Sequence, residues 1–70
     1  MKRECPYCGY GWFMRNTGKM ELLKNGIVNK KCKKCGKEYA IVKEERRLYV
    51  RYNGENGIEK ENIGTVGELA

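Results

Sequence analysis

Seventy residues make one small domain, too short for a second core or a roomy substrate pocket. Hydrophobic residues are 40% of the chain and charged residues 34%, so burial alone does not outweigh the ordering entropy of so polar a sequence, and a further brace is needed. His, Asp, Ser and Gln are all missing, which removes most general bases and hydroxyl nucleophiles and argues against an enzyme with a small-molecule substrate. Fifteen Lys and Arg against nine Glu give a formal charge of +6 and a pI near 9.3, the balance expected of a protein with an anionic partner. Met1-Lys2-Arg3-Glu4-Cys5 leads into no apolar h-region, and no apolar run approaches the ~18 residues of a membrane span. The expectation is a cytoplasmic protein without a membrane partner, a setting in which paired cysteines are more often metal ligands than disulfides.

In chain order, Cys5-Pro6-Tyr7-Cys8-Gly9 comes first, and Gly11 to Arg15 is expected to form a short strand closed by Asn16-Thr17-Gly18. Asn25-Gly26 separates the runs Met20 to Lys24 and Ile27 to Lys31; an Asn-Gly pair between such runs predicts a hairpin, because both turn positions favour φ > 0. Cys32-Lys33-Lys34-Cys35-Gly36 repeats the opening motif. Glu38 to Lys43 and Leu48 to Tyr52 are strands rich in β-formers. Glu44 to Arg47 is either the turn between them or part of one long bent strand. Asn53 to Gly57 is a turn, and Ile58 to Ala70 holds little to bury, with at most one edge strand before a tail. No segment carries a 3.6-residue apolar stripe. The expected fold is small and all-β, an antiparallel sheet of three to five strands, with 1–52 as the main unit and 53–70 as a turn and polar C-terminal extension.

The cysteines supply the missing brace. Cys5 and Cys8 lie three apart in a tight turn and can offer both sulfurs to one metal, while Cys32 and Cys35 supply the other half of a tetrahedron. The Gly after each pair can take the left-handed conformation that reverses the chain and aims amides at the thiolates. Two such units joined by a hairpin-rich spacer and followed by strands resemble a zinc ribbon, over roughly residues 4 to 52. That resemblance implies one structural Zn²⁺ held by Cys5, Cys8, Cys32 and Cys35. Two alternatives stand beside it: a pair of disulfides, and iron, since rubredoxins also use two Cys-x-x-Cys-Gly loops, although Lys33 and Lys34 and the basic balance depart from that pattern. Four thiolates close the coordination shell, which argues against a catalytic metal.

Lys30, Lys31, Lys33, Lys34 and Lys37 crowd the second cysteine pair, so a rigid metal loop would display a cationic tip suited to phosphate backbones. Arg46, Arg47 and Arg51 interleave with Tyr49 and Tyr52. On a strand, Leu48, Val50 and Tyr52 share the core face and leave Arg47, Tyr49 and Arg51 on the other, a strip that favours RNA over DNA through phosphate clamps and base stacking. Tyr7, Tyr10, Trp12 and Phe13 are expected to serve the core and cover the metal. Zinc ribbons recur in ribosomal proteins and RNA polymerase subunits. The leading reading is a non-enzymatic RNA-binding protein of ribosomal or ribosome-associated type; the alternative is a transcription adaptor that binds RNA polymerase or DNA. The interval between the cysteine pairs holds only Glu21 as an acid, unlike the acidic hairpin tip of transcript-cleavage ribbons.

Overall fold

A computed structural model describes residues 4–12 and 14–69, Leu69 by its backbone alone. After the first cysteine loop come a helix, α1 (Asn16–Asn25), and four strands, β1 (Ile27–Lys31), β2 (Glu38–Glu44), β3 (Arg47–Gly54) and β4 (Gly57–Thr65), closed by a 3-10 turn, Val66–Leu69. The strands form one antiparallel sheet in the order β1-β2-β3-β4. This is the predicted kind of sheet, and Glu44 to Arg47 resolves into a turn, with Glu44 paired to Arg47 across it.

The fold is not all-β: α1 takes the place of the Asn16-Thr17-Gly18 turn and of the first arm of the expected hairpin, and among the described residues the strand expected before it is absent as well. Among the described residues from Gly11 to Arg15 there is no strand, only a bridge between Glu4 and Gly11; Phe13 lies outside the described residues. The Asn25-Gly26 pair ends a helix instead of turning a hairpin. Lys19, Met20, Glu21, Leu22, Leu23 and Lys24 are all good helix formers, and Gly26 stops them with φ 79°, its N–H donating to the Leu22 carbonyl at 2.8 Å. The left-handed freedom of glycine serves a hairpin turn and a helix C-cap equally. The Lys43 ammonium satisfies one more helix-end carbonyl, that of Leu23, at 3.2 Å. No apolar stripe announces α1, because Leu22 is its one buried residue, while Met20 is 70% exposed.

Strand alternation then sorts the sheet into two faces. Val28, Ile41 and Val50 lie in register on one face, where they join Leu22, Leu48, Met14, Tyr39, Cys5 and Cys32 in the core. Leu22, Ile41 and Leu48 are fully enclosed. Both α1 and the first cysteine loop lie on this face. The other face carries the row Asn29, Ala40, Arg51, Lys60 and the row Ile27, Val42, Tyr49, Asn62, with Arg47, Arg51 and Lys60 exposed. The C-terminal stretch contributes more than an edge strand. A β-bulge sets Leu48 opposite Gly64 and Tyr49 opposite Asn62, so that Ile63 is the extra residue, and Ile63 and Val66 pack against the core. The Val66 N–H reaches the Arg46 carbonyl at 2.8 Å, which ties the chain end to the β2–β3 turn. No described helix is long and apolar enough to cross a membrane.

Candidate metal centre

The two cysteine loops are built alike. In the first, Gly9 N–H donates to the Cys5 carbonyl at 2.9 Å and Cys5 N–H to the Tyr10 carbonyl at 2.9 Å; in the second, Gly36 donates to Cys32 at 2.9 Å and Cys32 to Lys37 at 3.0 Å. Gly9 and Gly36 hold φ of 80° and 75°, the left-handed turn expected at both positions. The isolated Glu4–Gly11 bridge clamps the first loop, and β1 and β2 run into and out of the second.

These loops bring the four sulfurs of Cys5, Cys8, Cys32 and Cys35 within 4.8 Å of one another. The sulfur of Cys5 lies 3.7 Å from that of Cys35, and the sulfur of Cys8 lies 3.5 Å from that of Cys32. A tetrahedral ion with metal–sulfur bonds of ~2.3 Å separates its ligand sulfurs by about 3.8 Å, so the cluster has the dimensions of a four-thiolate shell. All four are free cysteines. The leading cysteine of each loop is buried and the trailing one exposed, so the centre is anchored in the core and reaches the surface at one end.

The electrostatics suit a cation. The Cys35 and Lys34 amides donate to the Cys32 sulfur at 3.4 and 3.3 Å; led by the Cys35 amide, they outweigh burial and pull its thiol down to about 6. At Cys8 the Tyr10 amide favours the thiolate, but partial loss of water around the sulfur and the neighbouring thiols outweigh it and push the group up to about 12. Cys35 is likewise raised: the Lys37 amide favours its thiolate, while burial and its neighbours Cys32 and Cys5 oppose it more strongly. Four sulfurs this close do not all ionise unless a cation stands among them. Burial, together with the charge of the cysteines, raises Tyr39 to about 12, which keeps this neighbour a neutral phenol.

The lysines and arginines singled out in the sequence fall into two regions. Lys33 and Lys34 are exposed on the second loop, flanked by exposed Lys31 and Lys37. Lys30 instead turns to the core face, its ammonium 4.4 Å from the Trp12 ring centre, and Lys37 lies 5.0 Å from that of Tyr7. Arg47, Tyr49 and Arg51 line the helix-free face of β3, as alternation predicted, while Arg46 sits in the β2–β3 turn, at the opposite end of β2 from the cysteines. Tyr7 and Trp12 are half-buried against the core, whereas Tyr10 is 41% exposed. The sequence reading missed Lys60, whose ammonium lies 4.7 Å from the Tyr49 ring centre and 2.7 Å from a Glu44 carboxylate oxygen. No alternation within 58–65 points to it, since Ile58 and Ile63 stand five apart; its place comes from pairing with β3. Compared with known proteins, the chain matches no family model, no curated protein and no solved structure.

Proposed function

We propose that this protein is a zinc ribbon that binds RNA without catalysing a reaction, and that it works in the cytoplasm as a small ribosomal or ribosome-associated component. The observation that carries the reading is the second cysteine loop, which combines a metal-sized sulfur cluster with exposed Lys33 and Lys34 at its tip. Zinc suits four thiolates in a closed tetrahedron, a structural arrangement in which the metal braces the fold. Iron would also take four thiolates, and it is distinguished by colour, since zinc is spectroscopically silent. With Zn²⁺ and four thiolates the net charge falls from +6 to about +4, still cationic.

A loop stiffened by its metal holds its lysines at fixed spacing, so little ordering is lost when phosphates bind. Arg47, Tyr49 and Arg51 supply a second contact strip on a face that no described helix covers, suited to unpaired bases and their phosphates. The test is a sucrose-gradient profile of native extract at low and high salt, probed for this protein. The expected result is comigration with ribosomal particles at low salt. Cofractionation with RNA polymerase in their place would move the assignment to a transcription adaptor.

A further inference from the structure

A cleft of about 600 Å³ opens between the start of α1, the segment after the first cysteine loop, and β1, within the range that holds a small organic ligand. Tyr10 and Trp12 line it together with four cations, Arg15, Lys30, Lys31 and Lys33, and among the described residues no carboxylate lines it. A concave surface with one sign of charge and low-dielectric walls concentrates positive potential. Three further observations point to a ligand with both an aromatic and an anionic part. Tyr10 leaves 41% of its surface in solvent and offers a ring for stacking. The Trp12 indole N–H is buried without a hydrogen-bond partner, a state that buried donors seldom keep unless an acceptor reaches them. Finally, α1 starts without a side-chain cap, and Thr17 and Gly18 of its first turn line the cleft, where free helix amides favour an anion.

We infer that this cleft is a nucleotide pocket, taking one unpaired nucleotide of an RNA strand with its base against Tyr10 and its phosphate among Arg15, Lys31 and Lys33. The inference rests on the RNA-binding reading and names where that strand is gripped. The cleft adjoins the cationic tip through Lys31 and Lys33, so a strand crossing the second loop can drop one base into it. A duplex keeps its bases stacked and fills the pocket with none.

Trp12 is the chain's one tryptophan, so its emission reports on the cleft directly. Metal-loaded protein is titrated with end-labelled octauridylate, with the same ribose-phosphate backbone lacking bases, and with free uridine monophosphate, recording anisotropy and tryptophan emission together. The expected result is quenching in step with octauridylate binding, and binding of the abasic strand weaker by fivefold or more without quenching. Tyr10→Ala and Arg15→Ala are each expected to weaken octauridylate about fivefold while retaining metal; the Tyr10 carbonyl that receives the Cys5 amide survives the change. Equal binding of the abasic strand with unchanged emission would overturn the pocket and leave the RNA reading standing. Quenching by free uridine monophosphate without octauridylate binding would overturn the strand as its ligand. No binding by any probe would overturn the RNA reading and the pocket with it.

Discussion

The two cysteine loops share a backbone and differ in the two residues that each holds between its cysteines. Both place a buried cysteine first and an exposed one last, and both close through a left-handed glycine. Yet the first holds Pro6 and Tyr7 between its ligands and the second holds Lys33 and Lys34. Tyr7 is turned into the body of the protein. Its hydroxyl donates to the Glu38 carbonyl at 3.2 Å and accepts the Asn53 amide at 2.8 Å, and its ring meets Tyr52 edge-on at 5.7 Å. Lys33 and Lys34 stay in solvent. Gathering four sulfurs at one point constrains the cysteines and glycines and leaves the intervening residues free, so those residues record what each loop faces: the first is docked and the second displayed.

The largest effect tests what the loops have in common. On the zinc reading proposed above, stripping the metal with a chelator, or changing buried Cys32→Ser, is expected to unfold the chain, because structural zinc contributes on the order of 10–16 kcal/mol against the ~3–5 kcal/mol that a core of this size supplies. Retained amide dispersion in the NMR spectrum of chelated protein would break the comparison at its base.

Proton release upon metal binding gives the next effect. The metal-free chain, once unfolded, carries its thiols at the ordinary value of about 8.5, whereas the loaded site holds four thiolates. The folded loops do not ionise all of them unaided, since Cys8 is pushed up to about 12 and Cys35 is raised, so the cation must drive the loss. At pH 7 metal binding therefore expels close to four protons, and affinity rises with pH by about tenfold per unit for each. Calorimetry in buffers of different ionisation enthalpy counts these protons, and a count of two or fewer would contradict the expectation.

Smaller changes separate backbone from side chain. An alanine Cβ at either Gly9 or Gly36 would meet nothing within 4 Å, so Gly9→Ala and Gly36→Ala should each cost only the left-handed penalty, about 1–2 kcal/mol. Equal losses in thermal or denaturant melts of metal-loaded protein would sharpen the equivalence of the loops; a difference of several kcal/mol would end it. Smallest is Tyr7→Phe, which leaves the Asn53 amide without its acceptor and should cost about 1 kcal/mol with metal retained. An unchanged melting curve would mean that the first loop is not docked through that hydroxyl.

The four-cysteine cluster was legible in the sequence because its signal is local: three-residue spacing and a following glycine specify each loop without reference to the rest of the chain. The strands Ile27 to Lys31, Glu38 to Lys43 and Leu48 to Tyr52 were legible for a similar reason, since β-branched and aromatic residues are concentrated there. The helix was hidden because it buries Leu22 alone and because Gly26 serves a helix cap as well as a hairpin. The role of Ile63 and Val66 was hidden because it depends on a bulge, a tertiary event with no signature in 58–70. Lys60, likewise, gains its place beside Tyr49 only through pairing with β3.

Whether the displayed loop carries the RNA contact is tested most directly by fluorescence anisotropy of labelled single-stranded RNA against metal-loaded wild type and the double variant Lys33→Glu/Lys34→Glu, over a series of salt concentrations. Both side chains are exposed, so metal content and melting should be unchanged. Affinity is expected to fall by about a hundredfold and the salt dependence to flatten by roughly 1.4 in the log–log slope, the value for two lost phosphate contacts on a single strand. Equal affinity and equal slope in the two proteins would contradict this expectation.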